Sequence, residues 1–150
     1  MSEAGLTGGC LCGAVRFSAE FPSLFCCHCH CAWCRRAHGA AFVTWLGVAE
    51  ERFALTRGPD SLRWYASSAE SERGFCTTCG TTLFFRSRLA PGEVHVALAC
   101  ADGPADRAPQ LHVFHEAHVP WVTLGDDLPK IGREHQGLAK YQAVPRAPGG

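Results

Sequence analysis

The chain carries the segment Phe75-Cys76-Thr77-Thr78-Cys79-Gly80 near its middle. Two residues between two cysteines let a tight turn aim both sulfur atoms at one point, and Gly80 can adopt a positive φ angle behind the second cysteine. This spacing is typical of one half of a tetrahedral metal site. A thioredoxin-like redox pair is the alternative, but no βαβ pattern surrounds these cysteines.

A second cysteine pair lies near the N-terminus, in the segment Gly9-Cys10-Leu11-Cys12-Gly13. In a β-strand, residues i and i+2 lie on the same face, so we expect the sulfur atoms of Cys10 and Cys12 to converge. Together with Cys76 and Cys79 they make a four-cysteine set. This is the closed arrangement of a structural zinc, although four tetrahedral sulfurs also suit iron. A metal held there would clip the first strand to the middle of the chain, and its binding energy would become folding energy.

The overall composition limits the classes of protein to consider. The chain has ten cysteines in 150 residues. Its N-terminus shows no export signal, so we expect a cytoplasmic protein whose cysteines bind metal or do redox chemistry rather than form disulfides. Fourteen basic residues balance fourteen acidic ones, which argues against nucleic-acid binding. No apolar run reaches the roughly 20 residues that a membrane span needs.

A third cysteine cluster, Cys26-Cys27-His28-Cys29-His30-Cys31-Ala32-Trp33-Cys34, lies between the two pairs. Cys29, Cys31 and Cys34 could supply three protein ligands and leave a fourth position open, which is the pattern of a catalytic zinc. Alternatively, the set could be closed as a second structural site by Cys26, Cys27, His28 or His30. The spacing alone does not decide between these two interpretations.

Short segments with alternating hydrophobicity recur along the chain, separated by turns that contain glycine and proline. The pattern predicts strands over residues 14–19, 42–48, 53–56, 62–65, 81–85, 94–99, 111–114 and 121–124, typical of an all-β sandwich or open barrel. The best helix candidate is 32–38, which Gly39 would end as a C-cap. We expect the domain to span residues 1–131 and the polar segment 132–150 to form a partly ordered tail.

Four parts of the chain together resemble one known family, the glutathione-dependent formaldehyde-activating enzymes, or GFA domain proteins. The matching segments are residues 8–17, 29–36 and 73–81, and an ending formed by residues 110–114, 120–121 and 127–129. The resemblance covers roughly residues 5–131. It implies an all-β, zinc-centred tent of small antiparallel sheets with at most one or two short helices.

The resemblance also implies two zinc ions per chain with separate roles. Cys10, Cys12, Cys76 and Cys79 match the family's structural zinc ligands. Cys29, Cys31 and Cys34 match its second, catalytic-type zinc, and this favours the open site over a closed one.

The activity that gives the family its name joins glutathione to formaldehyde, which is formally a carbon–sulfur lyase reaction in reverse. We therefore expect a lyase of the S-(hydroxymethyl)glutathione synthase type. Its partners would be a small-molecule thiol, either glutathione or a similar one, and formaldehyde or another small aldehyde. The alternative is a non-catalytic two-zinc β domain that acts as a protein-binding module.

The ligand chemistry of the second site agrees with this interpretation. A zinc ion with three thiolates is electron-rich and suited to hold a substrate thiol as a nucleophilic thiolate. Arg35 and Arg36 could offset the negative charge or pair with a substrate carboxylate, or they could lie at the surface or cap the helix. His112, His115 and His118 would not share a face in a strand, so we expect no histidine metal site there.

Overall fold

The computed structural model describes residues 4–142 of the chain. Within this part, short strands and a single α-helix alternate with 3-10 turns, and no helix is long and apolar enough to cross a membrane. The strands are β1 (Gly5–Gly9), β2 (Arg16–Glu20), β3 (Phe25–Cys29), β4 (Val43–Ala49), β5 (Phe53–Arg57), β6 (Leu62–Ala66), β7 (Ser71–Cys76), β8 (Thr82–Ser87), β9 (Glu93–Ala97) and β10 (His112–Val113). The helix is α1 (Ala32–His38). The predicted all-β class is confirmed.

The strands form two sheets of unequal size. The smaller sheet has the order β1-β2-β5, and the larger one has the order β10-β3-β4-β9-β8-β7-β6. Neighbouring strands are antiparallel except for the short parallel pair of β10 with β3. Because β10 joins this edge beside β3, the chain near residue 112 comes close to the central cysteine cluster.

Side chains alternate between two hydrophobic cores along the strands of the larger sheet. One core lies against the smaller sheet, where the ring of Phe17 meets the ring of Phe84 edge-on at 5.3 Å. The other core includes Trp45 and Phe85 together with Cys29 and Cys34. The two faces of one sheet therefore serve different purposes: one holds the sheets together, and the other supports the central cysteine cluster.

The helix prediction is confirmed at both ends. Helix α1 spans Ala32–His38, and Gly39 ends it with a φ of 60° in the left-handed region. A side chain beyond Cα is unfavourable at such an angle, which explains the glycine.

The predicted strand at residues 121–124 is wrong. This segment has no strand pairing, and Trp121 is 72% exposed. Beyond β10 the chain leaves the sheet, and its next β-type pairing is an isolated bridge between His112 and Lys130. The sheet therefore offers this segment no neighbouring strand to pair with.

The part of the predicted tail that the structure describes packs against the rest of the protein. Residues Gln136–Tyr141 form a 3-10 turn, and Leu138 is buried in the second core. Residues 1–3 of the predicted domain and residues 143–150 of the predicted tail lie outside the described residues. The domain boundary at residue 131 stays a prediction.

Candidate metal centres and the adjoining cavity

The four sulfur atoms of Cys10, Cys12, Cys76 and Cys79 lie within 4.8 Å of one another. The Sγ atom of Cys12 is 3.6 Å from that of Cys10 and 3.8 Å from that of Cys76. A tetrahedral ion with metal–sulfur bonds of about 2.3 Å separates its sulfur ligands by about 3.8 Å. The donor set therefore fits one tetrahedral ion that prefers sulfur.

Cys10 and Cys12 converge through a turn rather than within a strand, which corrects the predicted local structure. Strand β1 ends at Gly9, and the Gly13 N–H donates to the Cys10 carbonyl at 3.1 Å. The Val15 N–H donates to the Cys10 sulfur at 3.2 Å. A tight turn brings both sulfurs to one side and also directs a backbone N–H at a sulfur. In an extended strand, that N–H would instead be used in a hydrogen bond to the neighbouring strand.

The second pair shows the predicted turn. Gly80 has a φ of 81°, and its N–H donates to the Cys76 carbonyl at 2.8 Å. Cys76 is fully buried at the end of β7, whereas Cys12 on the opposite turn is exposed. The four-cysteine cluster thus joins the turn between β1 and β2 to the end of β7.

The sulfur atoms of Cys29, Cys31 and Cys34 also lie within 4.8 Å of one another. Cys29 ends β3, Cys31 is the N-cap of α1, and Cys34 is the buried residue of that helix. The Cys34 N–H donates to the Cys31 sulfur at 3.3 Å, so the start of the helix fixes the spacing of these two residues. Among residues 4–142, no fourth cysteine, histidine or carboxylate converges with the three.

None of the residues that could have closed this site converges with the three sulfurs, although Cys27 lies in the same core and faces the same side of β3 as Cys29. Cys26 is buried in the core against the smaller sheet, on the opposite side of β3 from Cys27 and Cys29. Burial raises the pKa of Cys27 to about 12, as expected for a thiol in an apolar wall. His28 bonds Thr44 at 2.8 Å through Nδ1, and His30 bonds His112.

The Cys34 sulfur is surrounded by hydrogen-bond donors. Trp45 donates from Nε1 at 3.4 Å, and Arg73 donates from Nη1 at 3.5 Å. Hydrogen bonds from Cys29 and Cys31, followed by the positive charge of Arg73, hold the pKa of Cys34 well below its usual value although burial opposes this. Two side chains that line the cavity therefore direct hydrogen bonds at the Cys34 sulfur.

A cavity of about 550 Å³ opens beside the three cysteines, and we call it the cysteine cavity. All three ligand candidates line it, whereas none of the four-cysteine cluster does. Its wall is mostly apolar and includes the rings of Phe25, Trp33, Trp45, Phe85, Phe114 and Tyr141. Its charged lining comes from Arg73, Glu116 and Arg133. The second cluster is thus open to a ligand of appreciable size.

The C-terminal part of the described chain covers this cavity. We call residues 131–142 the cap segment, and they contribute Leu138 and Tyr141 to its lining. Tyr141 donates from its hydroxyl to Glu93 at 2.9 Å, and Lys140 pairs with the same carboxylate at 3.0 Å. Burial alone would raise the pKa of Glu93, but hydrogen bonds from His95, Lys140 and Tyr141 lower it to about 2. The carboxylate is therefore ionised at neutral pH and anchors the cap segment.

Five histidines, of which His28 lies 5.0 Å from the His112 ring, form a cluster outside the cysteine cavity. His30 and His112 share a 2.8 Å hydrogen bond between ring nitrogens, and His112 bonds Asp126 at 3.0 Å. Phe114, with a φ of 52°, turns the chain so that His115 and His118 stack near His30. Burial lowers the pKa of His30 to about 4, which keeps it neutral. Within the described range these rings meet, but they do not form a further metal-ligand group.

The arginine beside the cysteines comes from a strand rather than from α1, which carries the two candidates Arg35 and Arg36. Arg35 donates to the His30 carbonyl at 3.3 Å, and neither it nor the exposed Arg36 lines the cysteine cavity. Arg73 on β7 takes that position. The sequence signal was present, because Arg73 immediately precedes the Gly74-Phe75-Cys76 segment, but its location depends on how β7 packs within the sheet.

Comparison with known proteins identifies the family. The family model described as glutathione-dependent formaldehyde-activating enzyme (GFA) matches residues 5–117. This chain belongs to the GFA family. A crystal structure of a Rhodobacter sphaeroides protein has a TM-score of 0.57 and 28% sequence identity with it, over 68% of this chain and 93% of that one.

Two curated relatives carry names that concern function. A putative glutathione-dependent formaldehyde-activating enzyme of Halomonas elongata is 26% identical over 126 residues, covering 79% of this chain and 80% of that protein. An uncharacterized lyase of Schizosaccharomyces pombe is 39% identical over 82 residues. That match covers 52% of this chain and 55% of the yeast protein, so the chain spans about half the length of this relative.

Proposed function

We propose that this GFA-family protein is a zinc-dependent carbon–sulfur lyase that makes and breaks adducts of a small thiol with formaldehyde or another small aldehyde. The observation that carries this proposal is the different surroundings of the two cysteine clusters. Three converged cysteines line a cavity of about 550 Å³, whereas the four-cysteine cluster has all its ligand positions filled by protein. The first arrangement suits catalysis and the second suits structure.

The two donor sets would hold two zinc ions. Cys10, Cys12, Cys76 and Cys79 would hold the structural ion, and Cys29, Cys31 and Cys34 the catalytic one. The second ion, when bound, would lower the pKa of a substrate thiol and keep it nucleophilic. Glutathione is the thiol that the family description and the name of the Halomonas relative suggest.

The protein's own residues would position and shield the reactants. The aromatic wall of the cysteine cavity and the cap segment would exclude water, which strengthens electrostatic interactions at the reacting atoms. The N–H groups of Trp45 and Arg73 would fix the orientation of the Cys34 sulfur. A thiol that enters would meet an aldehyde carbon as its electrophile, and the product would be a hemithioacetal.

The test is an exchange measurement on the zinc-loaded protein, because thiols and formaldehyde also react without a catalyst. We expect the exchange of ¹³C-labelled formaldehyde with glutathione, followed by NMR, to be faster than in buffer, and Cys31→Ser to abolish the acceleration. Cys100→Ser is the matched control, since Cys100 lies outside both clusters. A parallel series with 2-mercaptoethanol separates a general thiol requirement from a glutathione-specific one.

An exchange rate equal to that in buffer with both thiols, at full metal occupancy, would contradict the enzymatic proposal. The alternative, a protein-binding module with two zinc ions, would then replace it.

A further inference from the structure

Arg73 is a buried cation in the wall of the cysteine cavity. It is 7% exposed, and no Asp or Glu of the described chain forms an ion pair with it. Burying a charge without a partner is costly, so buried charges in proteins are normally paired. Its partner must therefore come from the thiolates beside it or from a ligand in the cavity.

Only part of the hydrogen-bonding capacity of Arg73 is used within the protein. Its Nη1 atom donates to the Cys34 sulfur at 3.5 Å, and the guanidinium lies 5.0 Å from the centre of the Phe85 ring. The Nε atom is buried and has no hydrogen-bond partner among residues 4–142. A buried donor without a partner loses its water without compensation, so the guanidinium, which lines the cavity, has hydrogen-bonding capacity that the described residues do not use.

The position of Arg73 restricts which atom of a ligand it can reach. The three sulfurs lie within 4.8 Å of one another, so a donor in contact with Cys34 is close to any thiol that approaches the cluster. In a hemithioacetal, sulfur and oxygen are attached to the same carbon. The carboxylates of glutathione lie many bonds farther from its sulfur, and Arg133 at the exposed rim of the cavity is better placed for them.

We propose that Arg73 is a catalytic residue that donates a hydrogen bond to the oxygen of the thiol–aldehyde adduct. This inference rests on the function proposed above. In the lyase direction, the hydroxyl proton of the adduct passes to solvent water and the carbon–oxygen bond becomes a carbonyl. The carbon–sulfur bond breaks, and its electron pair stays on sulfur. Negative charge develops on the oxygen before the bond to sulfur breaks, and a fixed cationic donor stabilises it.

A simpler role for Arg73 would be to offset the negative charge of the thiolates. That role requires only a positive charge near Cys34, which a lysine would also supply. Holding an oxygen requires the planar guanidinium with several N–H donors in fixed directions. The two roles therefore differ in how they respond to Arg73→Lys and to ligands that carry or lack an oxygen.

The test compares two small probes on cobalt-substituted protein, in which bound thiolates give visible absorption. Thioacetate carries sulfur and oxygen on one carbon, as the adduct does, and ethanethiol lacks the oxygen. We expect Arg73→Gln to weaken thioacetate binding roughly 10- to 100-fold, the usual effect of losing a hydrogen bond to a charged group. Ethanethiol binding should change by less than about 3-fold, since it makes no such bond.

The kinetic parameters should also separate an effect on the adduct oxygen from an effect on thiol binding. For adduct formation we expect kcat to fall roughly 100-fold or more in Arg73→Gln, as for other oxyanion donors, while the KM for the thiol stays unchanged. Arg73→Lys should bind ethanethiol as the wild type does and should recover thioacetate binding only in part. Arg36→Gln is the matched control, because Arg36 is exposed and outside the cavity.

Each outcome bears on a different claim. Equal losses for both probes in Arg73→Gln would overturn the inference and leave the proposed lyase intact, because Arg73 would then act only on the thiolates. The same follows if Arg73→Lys binds thioacetate as well as the wild type does. Failure of both probes to perturb the cobalt spectrum of the wild type would overturn the inference and the proposed function together. If Arg73→Gln does not fold, the Arg73→Lys comparison decides alone.

Discussion

The four-cysteine cluster and the three-cysteine cluster use the same ligand atom in opposite ways. The first joins segments that lie 64 positions apart, Cys12 and Cys76. The second comes from residues 29–34, where the end of β3 and the N-cap of α1 set the spacing of the sulfurs. A metal that joins distant segments supplies contacts that the fold would otherwise lack. A cluster whose geometry is set by local structure does not need its metal for folding and can use it for chemistry.

This difference predicts unequal consequences when metal is removed. A mild chelator should take the ion of the three-cysteine cluster and leave the fold intact, because that cluster is open to the cavity. A strong chelator should also take the second ion and unfold the protein, since its binding energy is folding energy. The test measures zinc release and circular dichroism in the same titration, so that loss of each ion can be compared with loss of the fold. Loss of both ions in one step with unfolding would remove the distinction between the sites.

The largest effect of a single substitution is expected for Cys76→Ser. Cys76 is fully buried and holds the end of β7 to the turn that contains Cys10 and Cys12. We expect the free energy of unfolding to fall by more than about 4 kcal/mol, a loss typical of losing a metal ligand. Denaturant unfolding with zinc in excess measures this loss of free energy. Cys100→Ser is the control, and a similar loss in both variants would show that the cluster has no special role.

A smaller effect is expected for Leu138→Ala in the cap segment. Leu138 is 5% exposed and packs in the same core as Cys29 and Cys34. Truncating such a buried leucine costs about 2–5 kcal/mol, and we expect the low end because the cap segment has room to relax. The KM for the thiol should rise as well, since the covering of the cysteine cavity loosens. An unchanged KM would show that the cap segment does not contribute to ligand binding.

The smallest effect on stability is expected for Cys31→Ser. Cys31 caps α1 with its sulfur, and serine is also a good N-cap, so the helix keeps its first turn. We expect the free energy of unfolding to change by less than about 1 kcal/mol while thiol binding is lost. The same denaturant experiment measures the free energy of unfolding, and cobalt spectroscopy measures thiol binding. A loss as large as that of Cys76→Ser would make both clusters structural.

Local chemistry explains which features could be predicted from the sequence. Helix α1 and its glycine cap follow from residues within one short segment, and the structure has them where predicted. The pairing of β10 with β3 and the cap segment depend on contacts between distant residues. Nothing in the polar composition of residues 132–142 indicates that Leu138 and Tyr141 cover a cavity.

Contacts between distant residues also explain where the structure differs from local expectation. Residues 121–124 have suitable strand residues, but β10 ends the sheet and leaves them no partner. His112, His115 and His118 would not share a face in a strand, yet the left-handed Phe114 and the following turn bring them together. Strand propensity is a property of one segment, whereas the pairing of strands and the turns between them depend on the rest of the chain.

The long sequence separation within the four-cysteine cluster has a consequence for how the protein matures in the cell. Translation adds about 5–20 residues per second, so the 64 positions between Cys12 and Cys76 take about 3–13 seconds to synthesise. During that interval the early pair offers a metal ion only two sulfurs, which form an incomplete site. The metal site proposed above is therefore complete only after the later pair has been synthesised, and until then it cannot fix the turn between β1 and β2 to the end of β7.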